Sequence, residues 1–316
     1  MPNRDQNRDP AVARANAQAR LRRGMYLLPS LFTVGNIAAG YYAIMEMIAA
    51  LVSQGEAHTH LDHAAIAILF AIPFDALDGR IARMTNTTSE FGKELDSLAD
   101  AITFGVAPSL LAYIWGVHFL PETIRPTWWP DLRQNLDWAG GFICFVYLIG
   151  GVSRLARFNI SPDAQPRNPG RPGRKYFVGM PIPAGALMLA STVHFFGAYP
   201  NQAWWVAMVW LVLVGTCGFL MVSTWRFWSG KEINFGRSHP FQILIVLAIV
   251  LFLIVRFSQG LLFSAALLYL FSGLWSRAAY SWSWRRRKRL ASSSTMAEPG
   301  TDAGRNSDSL AGHLRP

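Results

Sequence analysis

FDALDGRIARMTNTTSEFGKELDSLADAITFG, residues Phe74–Gly105, sets four aspartates, Asp75, Asp78, Asp96 and Asp100, between long apolar segments. The chain around it is 52% hydrophobic and only 15% charged, with 12 Trp and 20 Phe in 316 residues. Apolar runs of roughly 20 residues recur, the length a helix needs to cross the hydrocarbon core of a bilayer. The expected fold class is therefore all-α, a polytopic integral membrane helical bundle of about eight transmembrane helices. The spans are expected near 31–53, 63–84, 95–119, 138–158, 177–199, 203–224, 239–256 and 260–281.

The net charge is +10, which in a soluble chain would point to nucleic acid. Here the basic residues sit between apolar runs, so membrane topology accounts for them and no nucleic-acid partner is expected. Arg4, Arg8, Arg14, Arg20, Arg22 and Arg23 precede the first span, and the loop after it, SQGEAHTHLDH, has no Lys or Arg. Arg80, Arg83 and Lys93 follow the second span, and Arg154, Arg157, Arg167, Arg171, Arg174 and Lys175 mark the end of the fourth. Basic and poor connections alternate to the final RRRKR at 285–289, which places both termini and the aspartate-bearing connection in the cytoplasm. Tryptophans near the expected span ends, such as Trp128, Trp138, Trp204 and Trp228, fit an aromatic belt.

Three regions are expected: a basic N-terminal segment at 1–30, a transmembrane domain at 31–281, and a basic, then disordered tail at 282–316. The first segment does not read as a secretory signal, and residues 10–27 suit an amphipathic surface helix or a topogenic tail. Cys144 and Cys217 both fall in apolar runs and read as buried structural thiols. No internal repeat is evident.

Asp75 and Asp78 are three apart on one helix face, which Gly79 and Ala82 continue, while Asp96 and Asp100 are four apart with Gly92 one turn earlier. Antiparallel packing of the second and third spans would bring the carboxylates together, with small residues leaving room for a ligand. An aspartate at a membrane-helix centre costs about 2.5–3.5 kcal/mol, less near an interface. Two carboxylates about 4 Å apart repel by roughly 4 kcal/mol at an effective dielectric near 20. A divalent cation, or a pair, relieves both costs, and oxygen-only ligands favour Mg²⁺, Mn²⁺ or Ca²⁺ over zinc. Solvated helix-end aspartates would explain any one of the four, but hardly all four on two matched faces.

With its gaps the stretch is D-x2-D-G-x2-A-R-x8-G-x3-D-x3-D, running Asp75, Asp78, Gly79, Ala82, Arg83, Gly92, Asp96, Asp100. It resembles the complete signature of the CDP-alcohol phosphotransferases, membrane enzymes that transfer a phosphate-linked group from a CDP-alcohol to a second alcohol and release CMP. The resemblance implies a six-helix family core, here with two further spans, and a homodimer. It implies that Asp75, Asp78, Asp96 and Asp100 hold two Mg²⁺ or Mn²⁺ ions on the pyrophosphate, and that Asp100 is the general base. Asp78, Gly79, Ala82, Arg83 and Gly92 would lie against the CDP moiety. The chemistry is coherent: metals neutralise non-bridging oxygens, Arg83 can grip phosphate, and Gly79 lets a nucleotide approach the backbone.

The acceptor is narrowed by LPSLFTVGNIAAGYYAI (28–44), DSLADAITFGVAPSLLAY (96–113), SRLARFNI (153–160), YFVGMPIPAGA (176–186) and FLMVSTWRFWSGK (219–231). These resemble the bacterial phosphatidylserine synthases, with Ser30, Thr103 and Met180 as mild departures. The implied reaction takes CDP-diacylglycerol and L-serine to phosphatidylserine and CMP in the bacterial inner membrane, with the site facing the cytoplasm. Arg154 and Arg157 are candidates for the acceptor carboxylate or a phosphate, though both also suit positive-inside anchors. Asn159, Lys175 and Tyr176 are weaker candidates. Asn36, one turn after Thr33, either lines the pocket or bonds between helices.

Other readings compete. Choline would want an aromatic cage, for which Tyr41, Tyr42, Tyr113 and Tyr147 are available. Glycerol 3-phosphate would want more cations. A cation transporter would also place aspartates in a membrane, but would leave Gly79, Ala82, Arg83 and Gly92 unexplained. His58, His60 and His63 have loose metal-ligand spacing and are expected in a solvated outer loop.

Overall fold

The computed structural model describes residues 10–53, 55–84, 90–160, 176–228 and 259–273 and the single positions 249, 252 and 275, with side chains at 10–30, 78–84, 176 and 228 left aside. Helix α1 spans Pro10–Val52, α2 Ala57–Met84, α3 Glu90–His118 and α4 Leu132–Ile160. Strand β1 (Tyr176–Val178) leads to α5 (Ile182–Phe195) and α6 (Trp204–Val222), then to β2 (Arg226–Trp228) and α7 (Gln259–Gly273). Among the described residues five helical segments, from α1, α2, α3, α4 and α6, are long and apolar enough to cross a membrane, and α5 and α7 are shorter apolar helices. The expected span at 239–256 lies almost wholly outside the described residues.

Two expectations change. Residues 10–27 are no separate surface helix but run without a break into the first span. The expected span at 177–199 opens instead with a strand and a turn, leaving a helix of 14 residues. Pro181 and Pro183 flank its start, where prolines are tolerated because the first N–H groups have no intrahelical partner.

The surfaces identify the surrounding solvent. On α1 the buried positions Thr33, Asn36, Gly40, Ala43, Met47 and Ala50 recur every three or four residues. Such a stripe buries one face of a helix. On α4 the outward positions Trp138, Phe142, Phe145, Ile149 and Val152 follow the same spacing, and Trp138 is 76% exposed. Large apolar side chains in an uninterrupted exposed stripe belong against lipid. Between these faces α3 is the most enclosed of the candidate spans.

Small residues bring the helices close. A Cβ on Gly150 of α4 would stand 2.7 Å from the Gly218 carbonyl oxygen of α6, so these helices meet backbone to backbone. Cys144 and Cys217 are free and buried near this crossing. At the α1–α2 turn, His60 Nδ1 pairs with Glu46 Oε2 at 2.7 Å, and His194 of α5 pairs with Asp62. His58 stacks on Tyr199. These histidines therefore sit on the first turns of α2 or beside it rather than in a loop, and they join helix ends.

The two strands pair antiparallel, with Phe177 opposite Phe227 and Val178 opposite Arg226. Gly179 follows β1 at φ +77, and a Cβ there would lie 2.6 Å from the Met221 oxygen, so only glycine fits on both counts. Its N–H donates to the Trp225 oxygen at 2.8 Å, which ties the start of α5 to the end of α6.

Gly150→Ala should push α4 from α6 and lower the melting temperature in detergent, at a cost of about 1–3 kcal/mol. Gly215→Ala is the control, because its Cβ would meet Ile143 Cγ2 at an ordinary 3.5 Å.

Candidate active site

Asp75 on α2 and Asp96 and Asp100 on α3 converge, each offering a carboxylate oxygen within 4.8 Å of the others. Asp100 is 8% exposed, and Asp75 and Asp96 are half-buried. Asp78, Gly79, Ala82 and Arg83 follow on the last turns of α2, and their side chains are outside the described set. Gly92 lies one turn before Asp96 on α3 and is half-buried. Pro73 stands inside α2 just ahead of Asp75. It cannot donate to the carbonyl one turn back, which loosens α2 where the carboxylates gather.

Asn36 is wholly buried, and its Nδ2 donates to Asp100 Oδ1 at 3.2 Å. The carboxylate fixes the amide's orientation, since the reverse placement would set oxygen against oxygen. Thr103 Oγ1 donates to the Asn36 carbonyl at 2.9 Å. Gly40, one turn along α1, makes this approach possible: a Cβ there would lie 2.9 Å from Thr103 Cα. Of the two readings of Asn36, the geometry shows the bond between helices.

Residues Ala101–Val106 and Ile114–His118 are π-helical. A π-turn shifts the hydrogen-bond register and frees carbonyls for other donors. Tyr147, wholly buried, donates its hydroxyl to the Phe104 carbonyl at 3.0 Å, and Trp210 Nε1 donates to Ala112 at 2.9 Å. α3 is thus held from α4 and α6 by side-chain donors on its own backbone, while toward α1 it accepts at Asp100 and donates from Thr103. Neither the π-turns nor these donors had a signal in the sequence.

Arg154 and Arg157, indistinguishable by spacing, have different surroundings. Arg157 donates from Nη1 to the Val222 carbonyl and from Nη2 to that of Met221, both at 3.0 Å. Its guanidinium caps the C-terminus of α6, where carbonyls lack intrahelical partners. Arg154 is 7% exposed, lies over the Phe177 ring at 5.6 Å, and its Nε has no hydrogen-bond partner among the described residues. Its charge reaches Asp100 and Tyr269. Asn159 Nδ2 donates to Ser97 Oγ at 2.9 Å, joining the end of α4 to α3 beside Asp96.

The four tyrosines available for a choline cage do not converge. Tyr41 and Tyr42 point outward, Tyr113 donates to Asp137 at 2.7 Å, and Tyr147 is spent on Phe104.

The donor set suits a hard divalent cation. Three carboxylates share one small volume, with an amide donor on Asp100 and one buried guanidinium within electrostatic reach of it. The ligands are oxygen throughout, as Mg²⁺ and Mn²⁺ prefer.

Converging carboxylates on two helices of a lipid-facing bundle define a membrane protein with a candidate divalent-cation site. The family model described as CDP-alcohol phosphatidyltransferase matches residues 26–213, and the chain belongs to that family. It is 33% identical to a CDP-diacylglycerol–serine O-phosphatidyltransferase of Helicobacter pylori over 227 residues, 72% of this chain and 82% of that one. It is 32% identical to the Bacillus subtilis enzyme of the same name over 207 residues, 64% of this chain and 90% of the relative. A Mycobacterium bovis enzyme so named is 34% identical over 239 residues, 72% and 71% of the two chains.

Asn36→Ala removes the donor that fixes Asp100. Turnover should fall about tenfold or more, the value of a hydrogen bond to a charged group. KM for the CDP-alcohol should change less, as steady-state CMP release will show.

Proposed function

We propose that the protein transfers the phosphatidyl group of CDP-diacylglycerol to the hydroxyl of L-serine, giving phosphatidylserine and CMP. The observation that carries this reading is the convergence of Asp75, Asp96 and Asp100 beside Asn36 and the buried Arg154. The names of its relatives supply the acceptor. Asp78, which continues the Asp75 face of α2, is assigned to the same carboxylate set.

In this reading the four aspartates hold divalent ions, which when bound neutralise the pyrophosphate oxygens and the charge developing on CMP. The chain's own residues do the rest. Asp78, Gly79, Ala82, Arg83 and Gly92 line the CDP moiety, with Arg83 on phosphate oxygens. Asp100, oriented by Asn36, takes the proton of the serine hydroxyl. The serine oxygen forms its bond to the phosphorus bearing diacylglycerol, and the bond from that phosphorus to CMP breaks, so CMP leaves with the electron pair. Arg154 holds the serine carboxylate. Arg157, its N–H groups already directed to α6 carbonyls, is assigned to structure.

The membrane placement follows the distribution of Lys and Arg: residues 31–281 form the membrane domain, the segments 1–30 and 282–316 lie in the cytoplasm, and the aspartates open to that side of a bacterial inner membrane. Serine then enters from water while the acyl chains stay in lipid.

The test is an acceptor panel with purified protein, CDP-diacylglycerol and Mn²⁺ or Mg²⁺. L-serine, choline, glycerol 3-phosphate and inositol are each assayed for CMP release. Serine should support release, and Asp100→Asn should reduce it about 100-fold or more. Release with a different acceptor would keep the aspartate chemistry and discard serine. No release with any acceptor, from folded and metal-loaded protein, would favour an ion pathway.

A further inference from the structure

A buried guanidinium is ordinarily matched by a carboxylate, because an unpaired charge in an apolar setting is costly. Arg154 is surrounded differently. Phe177 of β1 lies beneath it, 5.6 Å from the guanidinium carbon to the ring centroid. Phe177 pairs with Phe227 across the two-stranded sheet, and directly opposed side chains share one face of a sheet. Phe227 is wholly buried, and Tyr269 of α7 stacks on it with ring centroids 5.7 Å apart. Gly273, one turn further along α7, gives the Phe227 ring its place: a Cβ there would run into Cε1 and Cζ. Tyr269 and Arg154 also lie within electrostatic reach of each other. The strand pair itself is pinned by Arg157, whose guanidinium grips the carbonyls of residues 221–223 just before β2.

Aromatic rings hold a guanidinium without consuming its N–H groups. Among the described residues no Asp or Glu forms an ion pair with Arg154. Phe177 lies against its guanidinium, and Tyr269, stacked on the opposed Phe227, backs that aromatic face, an arrangement that leaves N–H groups for a bidentate carboxylate. Arg154 also acts on Asp100, so an acceptor held by its carboxylate is drawn toward the base.

We propose that Tyr269 is a positioning residue which, with Phe177, holds Arg154 to read the carboxylate of the acceptor. The selectivity for an amino-acid acceptor then depends on β2 and α7, which lie beyond residue 213, where the family match ends. This inference rests on the serine reading proposed above.

The experiment compares L-serine with serinol, in which a hydroxymethyl group replaces the carboxylate, using CMP release by the full-length protein. Wild type should prefer serine by about 100-fold, since a site built for a charged hydrogen-bonding group rejects an analogue lacking it. Arg154→Lys should abolish most of that preference. Phe177→Leu should raise KM for serine about tenfold, the scale of a desolvated cation–π contact, and Tyr269→Leu should raise it about threefold by loosening the aromatic face behind Phe177. KM for CDP-diacylglycerol should move less, and the serine-to-serinol ratio should fall in proportion. Tyr269→Phe keeps the ring and its stack on Phe227 and should leave KM for serine within about twofold of wild type.

Several results overturn the proposal. Wild type using serinol as well as serine would show that no carboxylate is read. Variants that lose serine and serinol turnover equally would make Tyr269 a packing residue only. A change confined to KM for CDP-diacylglycerol would assign Arg154 to the donor's phosphate. A Tyr269→Phe enzyme whose KM for serine rises about tenfold would also overturn it, because the ring would then not be what positions Arg154. CMP release with another acceptor and none with serine overturns the proposed function as well, so the two failures are distinguishable.

Discussion

Carboxylates held together where water is scarce must be stabilised by something other than solvent, and the helices around Asp100 are arranged to do this. Asp75, Asp96 and Asp100 approach within 4.8 Å, and Asp100 is almost fully enclosed. The Asn36 amide donates to one oxygen, and the Arg154 charge acts on the same group. Three carboxylates this close repel one another, and an all-oxygen donor set of this kind suits a divalent cation. The constraint spreads outward. For Asn36 to reach Asp100, α1 must press on α3, and only a glycine at position 40 permits the contact with Thr103. The capacity of the cluster to hold a divalent cation and the packing of α1 on α3 meet at the same carboxylate, Asp100.

Backbone accounting tells a similar story on α3. Two π-helical stretches shift the register of the helix that carries Asp96 and Asp100. In a bilayer an exposed carbonyl finds no water, so a freed one must meet a donor within the protein. Tyr147 and Trp210 supply donors to Phe104 and Ala112, and Thr103 turns its own hydroxyl to the Asn36 carbonyl. These bonds make α3 the rigid element of the described bundle. The general-base role proposed for Asp100 would gain from that rigidity, because a misplaced base loses its alignment with the hydroxyl it must deprotonate.

Legibility in the sequence followed the strength of each physical signal. Long apolar runs announced α1, α2, α3, α4 and α6, because hydrophobicity sustained over about 20 residues is what a bilayer-crossing helix requires. The aspartate spacing announced the pairing of α2 with α3, because carboxylates at i, i+3 and i, i+4 share a face. Three-residue strands left no alternation to read, so β1 and β2 were hidden inside or beside expected spans. Gly40 and Gly179 looked like any glycines, since close approach and positive φ are properties of the fold around them. The histidines at 58–63 read as a loop because the local composition is polar. Their partners Glu46 and Tyr199, like the His194 that meets Asp62, come from distant points of the chain.

Arg154 and Arg157 show where sequence spacing stops being informative. Both are basic, three apart, on the same end of the same helix, and each could have anchored topology or bound an anion. What separates them lies across the interface. Arg157 faces the C-terminal carbonyls of α6, which need donors and satisfy its N–H groups at 3.0 Å. Arg154 faces Phe177, which attracts the cation but accepts no conventional hydrogen bond. A charge satisfied by backbone becomes structure, whereas a charge held by rings keeps its capacity to bind. Arg157 fixes the approach to β2, which pairs with the strand presenting the ring to Arg154, so its structural role supports the binding role assigned to Arg154.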